Sequence, residues 1–291
     1  MKHMKLCLVS KGRATHLCTL DGTEVRVLGG YSSFEKLYED SGGDLVPFAK
    51  ELEGRSTTSY KTSSVKLLRP FSPGEIWGAG ITYSHSREKH TTEGRTLVAG
   101  VPIYDYVYNA VRPEVFYKGT WRNCVGPEEG IGLRGDSKWT LPEPELGVVL
   151  GEKGETLGYT VSDDVSARDL EIENPLYLPQ SKIYTASASI GPVISLTDEI
   201  TNPYSLDINM KIIRGKTVFF EGKTNTSSLK RRINELVKYL FSFFTPAPLT
   251  LLSTGTSIVP PGKNGVRKGD VVEITIEKIG LLRNTVKLLG R

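Results

Sequence analysis

Two short acidic motifs hold most of the chemistry this sequence could do. In Leu141-Pro-Glu143-Pro-Glu145-Leu-Gly-Val-Val-Leu150 two glutamates stand two residues apart. In an extended chain both carboxylates leave one face, while Leu146, Val148 and Leu150 face the other way. Farther on, Tyr159-Thr-Val-Ser-Asp163-Asp164-Val-Ser-Ala-Arg168-Asp169 ends a strand-like run in a cluster of acids. Two oxygens from the first motif and one from the second would suit a hard cation such as Mg²⁺. Each motif also has a plainer reading, the glutamate pair as a solvated strand face and the aspartate pair as a turn or helix cap.

Competing chemistries find little support. The sequence holds neither GxxxxGK[ST] nor a GxGxxG at a strand-to-helix turn, so nucleotide cofactors are not expected. There is no GxSxG and no HExxH, and only 4 His, at positions 3, 16, 85 and 90. The 3 cysteines, Cys7, Cys18 and Cys124, lack CxxC spacing, which argues against a disulfide framework or a thiolate zinc site and fits a reducing cytoplasm. The formal charge of +4, from 37 Lys and Arg against 33 Asp and Glu, is spread along the chain and leaves no nucleic-acid footprint. Lys230-Arg231-Arg232 and Arg267-Lys268 read as solvated faces. No apolar run opens the sequence, and the greasiest stretch, residues 239–252, is interrupted by Pro246 and Pro248. Neither export nor membrane insertion is expected.

The 291 residues, 38% hydrophobic and 24% charged, suffice for one large domain or a domain with a small appendage. Strands are expected at residues 5–10, 14–20 and 24–28, with Asp21-Gly22 as a hairpin turn. Ser32-Ser33-Phe34-Glu35 offers a capping box for a helix to about Tyr38, and Leu45, Phe48 and Leu52 recur at helical spacing. A polar run at 55–64 follows, so residues 1–70 are expected to be a small α+β N-terminal domain. Residues 71–291 are expected to be a mostly β catalytic domain, with strands at 75–79, 115–118, 145–150, 156–161, 206–214, 217–221, 271–276 and 285–289. One helix is expected at 229–244, where Ile233, Leu236, Val237, Leu240 and Phe243 form an apolar stripe. The fold class is therefore α+β.

From about Ile76 onward the chain resembles the fumarylacetoacetate hydrolase superfamily. The matching segments, in order, are Gly80-Ile-Thr-Tyr83, Phe116-Tyr-Lys118, Glu143-Pro-Glu145-Leu-Gly-Val-Val-Leu-Gly151, Gly158-Tyr-Thr-Val-Ser-Asp-Asp164, Lys182 followed by Gly191-Pro192, and Ser253-Thr-Gly-Thr256, with Lys268-Gly-Asp270 and Ile279-Gly near the end. The resemblance implies a mixed β-sandwich roll. It implies Glu143, Glu145 and Asp164 as ligands of Mg²⁺, with Mn²⁺ or Ca²⁺ as substitutes. It further implies Lys182 as the active-site lysine, Thr256 as a contact for a substrate carboxylate, and a homo-oligomer, dimer or tetramer.

The departures from that pattern bear on the reaction. Family hydrolases pair a His with a Glu to activate water, whereas here the run is Thr82-Tyr83-Ser84-His85-Ser86-Arg87-Glu88, with His85 one place early. The usual Lys-Ser-Phe-Asp is Lys182-Ile-Tyr-Thr185. With the Arg112-Pro-Glu-Val-Phe-Tyr-Lys118 segment, these changes resemble the sugar-acid dehydratase branch. The expected substrate is then a five-carbon 2-keto-3-deoxy acid. Glu114, Phe116 and Lys118 would share a strand face, placing Glu114 to take a proton and Lys118 beside the substrate. Glu114 fits a solvated strand entry equally well, and His85 is the other candidate base. Lys182 could form a Schiff base or act as an electrostatic clamp. Hydrolysis of a 1,3-diketo acid, decarboxylation of an oxaloacetate-like acid and non-enzymatic carboxylate binding are the alternatives.

Overall fold

The structure, a computed structural model, describes residues 4–84, 97–98, 100–261 and 265–290. Its centre is a sheet of 12 strands. Along the main path the order is Ser59–Lys61, Glu24–Val27, Ala14–Asp21, Lys5–Lys11, Ala188–Leu196, Thr156–Asp164, Pro144–Leu150, Thr250–Ser253, Ile76–Gly80 and Glu114–Gly119. A second sheet of 5 strands runs Gly130–Arg134, Gly280–Leu289, Val271–Ile276, Asp207–Arg214 and Thr217–Asn225. The main core lies between the sheets. Leu146, Val148, Val161 and Val193 of the large sheet share it with Ile208, Met210, Ile212, Val272 and Ile274 of the small one. The outer face of the large sheet is covered by the helices Phe34–Asp40 and Leu45–Gly54, whose Phe34, Leu37, Leu45 and Ala49 pack with Leu6, Val149, Ile190 and Ile194. This is the expected α+β sandwich, dominated by strands.

The first three strands form where turn chemistry and alternation place them, with Gly12 and Gly22 at positive φ in the two hairpin turns. Lys5 and Leu6 pair with Ser195 and Ile194, so the large sheet runs unbroken from the segment before residue 70 into the one after it. Ser33, not Ser32, caps the first helix by accepting from Lys36 N–H. Glu35 does not close the box; its carboxylate accepts from the backbone of Ser72 and ties the helix to the following segment. The expected strands all form. Strands that the sequence pattern did not suggest form as well, among them Ser59–Lys61 in the polar run, Gly130–Arg134, Thr250–Ser253 and Ala188–Leu196. The last is central to the large sheet yet carries Gly191-Pro192 in its interior. The register shift in its pairing opposite Tyr159 and Val161 absorbs the residue that cannot donate.

The helix expected over 229–244 is shorter, Ile233–Phe241. Residues before it are engaged elsewhere: Leu229 bridges Tyr83 and Lys230 N–H donates to Thr82. Ile233, Leu236 and Leu240 are buried, but Phe243 lies past the helix end and is fully exposed. The basic cluster before the helix is not a solvated face throughout. Arg231 is buried and donates to the carbonyls of Ala110 and Val111, while Lys230 donates to that of Tyr108. Lys230 thus meets a carbonyl of the last turn of the helix Ile103–Asn109, and Arg231 the carbonyls of the two residues just past it. No helix of the described residues is long and apolar enough to cross a membrane.

Candidate active site

Sheet register explains why three carboxylates meet. Pro144 pairs with Asp163, and Asp164 N–H donates to Glu143 C=O at 3.0 Å, which sets Glu143 opposite Asp164 across adjacent strands, with Glu145 two residues along. Directly opposed and diagonal side chains on one face are neighbours. One oxygen from each of Glu143, Glu145 and Asp164 lies within 4.8 Å of the others, and all three residues are buried. Octahedral Mg²⁺ with ligands near 2.1 Å needs adjacent oxygens about 3 Å apart, so a small contraction of this all-oxygen set suffices. The residues fit a hard dication.

Two buried lysines hold the acids. Lys182 Nζ donates to Glu143 Oε2 at 2.7 Å, Asp164 Oδ2 at 2.8 Å and Ser166 Oγ at 2.6 Å. Lys118 Nζ sits 2.5 Å from Asp164 Oδ1 and donates to Val165 C=O at 2.9 Å. Burial opposes the ionised form of Asp164, but the two ammonium groups outweigh it and hold the carboxyl below its usual range. Burial likewise works against the Lys182 ammonium, and Asp164 and Glu143 overcome it, raising its pKa well above the usual lysine value. For Lys118 burial prevails over its one carboxylate partner and the pKa falls. Glu145 is pushed well above the carboxylate range by burial and then by Asp164 and Glu143, although Gly255 N–H donates to it at 2.6 Å. Asp163, raised to about 7 chiefly by burial, accepts from Glu143 N–H and so fixes the backbone of that glutamate.

These groups face a small half-open cleft, about 480 Å³ of empty space counting the solvent at its mouth. Its walls bring together Glu114, Glu143, Glu145, Asp164, Lys182 and Thr256 from separate parts of the chain. Lys118, expected beside a substrate, does not line it; it stands behind Asp164 and bonds there. Glu114 is not the exposed strand entry its spacing allowed. Burial, then the charge of Glu171, raises it to about 7, with Lys182 and Arg168 pulling the other way. His85 and Glu88 lie outside the described residues.

Sequence reasoning missed one wall. Arg168, 1% exposed, donates to Glu171 Oε1 at 2.6 Å and places its guanidinium 5.5 Å from the Tyr104 ring centre. All three line the cleft. Their signal is weak because they come from the six-residue helix Arg168–Glu173 and the distant Ile103–Asn109, neither with a clear period.

A family model described as fumarylacetoacetate (FAA) hydrolase C-terminal matches residues 105–287. The 2-dehydro-3-deoxy-D-arabinonate dehydratase of Saccharolobus solfataricus is 47% identical over 270 residues, spanning 92% of this chain and 88% of that one. The probable 2-keto-3-deoxyxylonate dehydratase of Haloferax volcanii is 45% identical over 218 residues, 75% of this chain and 73% of the relative. Among solved structures, that of a 2-keto-3-deoxy-D-arabinonate dehydratase complexed with magnesium and 2,5-dioxopentanoate superposes with a TM-score of 0.84 at 42% identity, covering 99% of this chain and 100% of the other. On sequence and fold together, the chain belongs to the fumarylacetoacetate hydrolase family.

Proposed function

We propose that the protein is a Mg²⁺-dependent dehydratase, a carbon-oxygen lyase that converts 2-keto-3-deoxy-D-arabinonate to 2,5-dioxopentanoate in sugar-acid catabolism. The observation that carries this reading is the meeting of the Glu143, Glu145 and Asp164 carboxylates beside Lys182 in a cleft that also holds Glu114. The relatives named for this reaction support it.

Glu143, Glu145 and Asp164 would hold the Mg²⁺, which when bound draws charge from a 2-keto group and acidifies the neighbouring C3 protons. Thr256, on the cleft wall, supplies a hydroxyl for the substrate carboxylate. The ammonium of Lys182, locked by three oxygens, is a fixed positive charge facing the negative charge that develops as C3 loses its proton. Glu114 is the base. With its pKa near 7 it is ionised in a large fraction of molecules at neutral pH and still basic enough to accept the C3 proton. The electron pair left at C3 expels the C4 hydroxyl, and the proton on Glu114 leaves with it as water; the C3–C4 enone so formed reaches 2,5-dioxopentanoate by losing a proton from C5 and gaining one at C3, after which the C4–C5 enol tautomerises to the aldehyde. Lys118 acts through Asp164 rather than on the substrate.

Within one stereochemical series the arabinonate and xylonate names converge on a single compound. Those acids differ only at C2 and C3, and both centres are lost in the 2-keto-3-deoxy acid. The stereochemical choice left is at C4. Incubating the protein with both C4 enantiomers, an acylpyruvate and oxaloacetate, with Mg²⁺ or EDTA, tests the assignment by product mass. Metal-dependent formation of 2,5-dioxopentanoate supports it, and release of a carboxylic acid from the acylpyruvate alone would replace it with the hydrolase reading. A homo-oligomeric, cytoplasmic protein completes the proposal; a monomer by light scattering would remove the first part.

A further inference from the structure

The strand next to the edge of the large sheet, Ile76–Gly80, carries glycines at 78 and 80, two apart and so on one face. Its partner is the edge strand Glu114–Gly119, paired with Gly78 against Phe116 and Gly80 against Glu114. In each pair the larger side chain folds over the glycine. A Cβ on Gly78 would meet the Phe116 ring at 2.3 Å, and a Cβ on Gly80 would meet Glu114 Oε2 at 2.0 Å and Cδ at 2.6 Å. Phe116 in turn lies under the Lys182 ammonium, 5.2 Å from the ring centre, and Gly80, Glu114 and Phe116 all line the cleft. Neither glycine is at positive φ, so backbone conformation does not demand the residue type at either place. What demands it at Gly80 is the space taken by one carboxylate.

We infer that Gly80 is a positioning residue for proton abstraction: its missing side chain is the seat of the Glu114 carboxylate, and any Cβ there expels the base from its working place. The inference rests on the assignment of Glu114 as base. A carboxylate on a flexible stem can move, so Gly80→Ala displaces it at little cost to the fold, and the loss falls on geometry. A displacement of the order of 1 Å costs about 10²-fold in rate.

The test is a mutant cycle on the Mg²⁺-loaded enzyme with Gly80→Ala, Glu114→Gln and the double variant. Thermal unfolding and Mg²⁺ titration of each accompany the kinetics. Gly80→Ala is expected to lower kcat about 10²-fold, with little change in KM, Mg²⁺ affinity or Tm. Glu114→Gln should lose about 10² to 10⁴-fold, as removal of a general base does. The double variant should be no slower than Glu114→Gln alone, because the methyl acts only through a carboxylate already gone. Glu114→Asp provides the rescue. Its shorter stem draws the carboxylate back from the new methyl, so it should cost less in the Gly80→Ala background than in the wild type, where it only lengthens the reach. Additive losses in the cycle, or a fall in Tm and Mg²⁺ affinity that tracks the fall in kcat, would overturn the inference and leave Glu114 as base. A Glu114→Gln enzyme of normal activity would overturn the base assignment and this inference with it.

Discussion

Replacing Lys118 with Met separates the role of the buried charge behind the site from that of the groups facing the cleft. The side chain is 1% exposed and lies 2.5 Å from Asp164 Oδ1, itself on a residue 2% exposed. Met fills the aliphatic volume but removes the ammonium, leaving a buried carboxylate with one fewer partner and the Val165 carbonyl with the Tyr184 hydroxyl but not the lysine as donor. Breaking one member of a buried pair costs about 3 to 5 kcal/mol. Lys182, 2.8 Å away on the other oxygen of Asp164, remains and places the cost at the lower end. Unfolding entropy near 2.1 cal/mol/K per residue gives about 0.6 kcal/mol/K for a chain of 291 residues, so about 3 kcal/mol corresponds to a Tm lower by about 5 °C. Calorimetry of EDTA-treated protein should show that drop. Mg²⁺ at about 100 times its Kd returns about 2.7 kcal/mol to any binder. At one fixed Mg²⁺ concentration it should return more to the variant than to the wild type, because the dication supplies charge that the lysine no longer does and so binds the variant more tightly. A Tm loss unchanged by saturating Mg²⁺, or no loss at all, would refute the view that Lys118 is a counter-charge to the metal carboxylates.

Glu143→Gln, Glu145→Gln and Asp164→Asn should each weaken Mg²⁺ binding and abolish turnover, and EDTA should stop the native enzyme reversibly; a variant with full activity at limiting Mg²⁺ is not missing a ligand. Borohydride added during turnover should leave the mass of the protein unchanged, since Lys182 is engaged as an ammonium by three oxygens; a substrate-dependent adduct on it would establish a Schiff base instead. Glu114 and Asp163 are each raised to about 7 by burial, so each binds its proton more tightly in the folded state. That contribution to stability is complete below the usual carboxylate pKa of about 4 and is lost as pH rises through about 7, on the order of 3 kcal/mol per group. The Tm of metal-free protein should therefore fall between about pH 4 and 7, and a flat or rising profile would contradict the raised pKa of these acids.

The glutamate pair of the carboxylate cluster was legible because strand alternation puts Glu143 and Glu145 on one face regardless of what surrounds them. That Asp164 stands opposite Glu143 is a matter of register, and no local pattern fixes register. Local signals failed where residues serve distant partners. Leu229 and Lys230 continue a helical pattern but are taken by Tyr83 and Thr82. Arg231 looks like one of three solvated cations and is in fact held by carbonyls some 120 positions away in sequence. The Ala188–Leu196 strand was hidden by Gly191-Pro192, a pair that ordinarily marks a turn and here sits at a shift of register. Glu114 was visible as an acid on a strand; its burial was not, since the glycine that makes room for it belongs to another strand.

Chain order and sheet order disagree across the large sheet: the strand of residues 250–253 lies between those of 144–150 and 76–80, and the strand of 5–11 lies against that of 188–196. Such non-local pairing is slow to assemble. The two strands beside the three carboxylates are a local hairpin and Lys182 lies 18 positions from Asp164, whereas Gly255 and Glu114 reach the site through pairings distant in sequence. Closure of the full site around the hairpin thus depends on long-range pairing. If Mg²⁺ binds only once those pairings are in place, it should leave the refolding rate nearly untouched and slow unfolding instead, protecting molecules already made rather than hastening the making of new ones, and a refolding rate that rises with Mg²⁺ would show the hairpin binding it first.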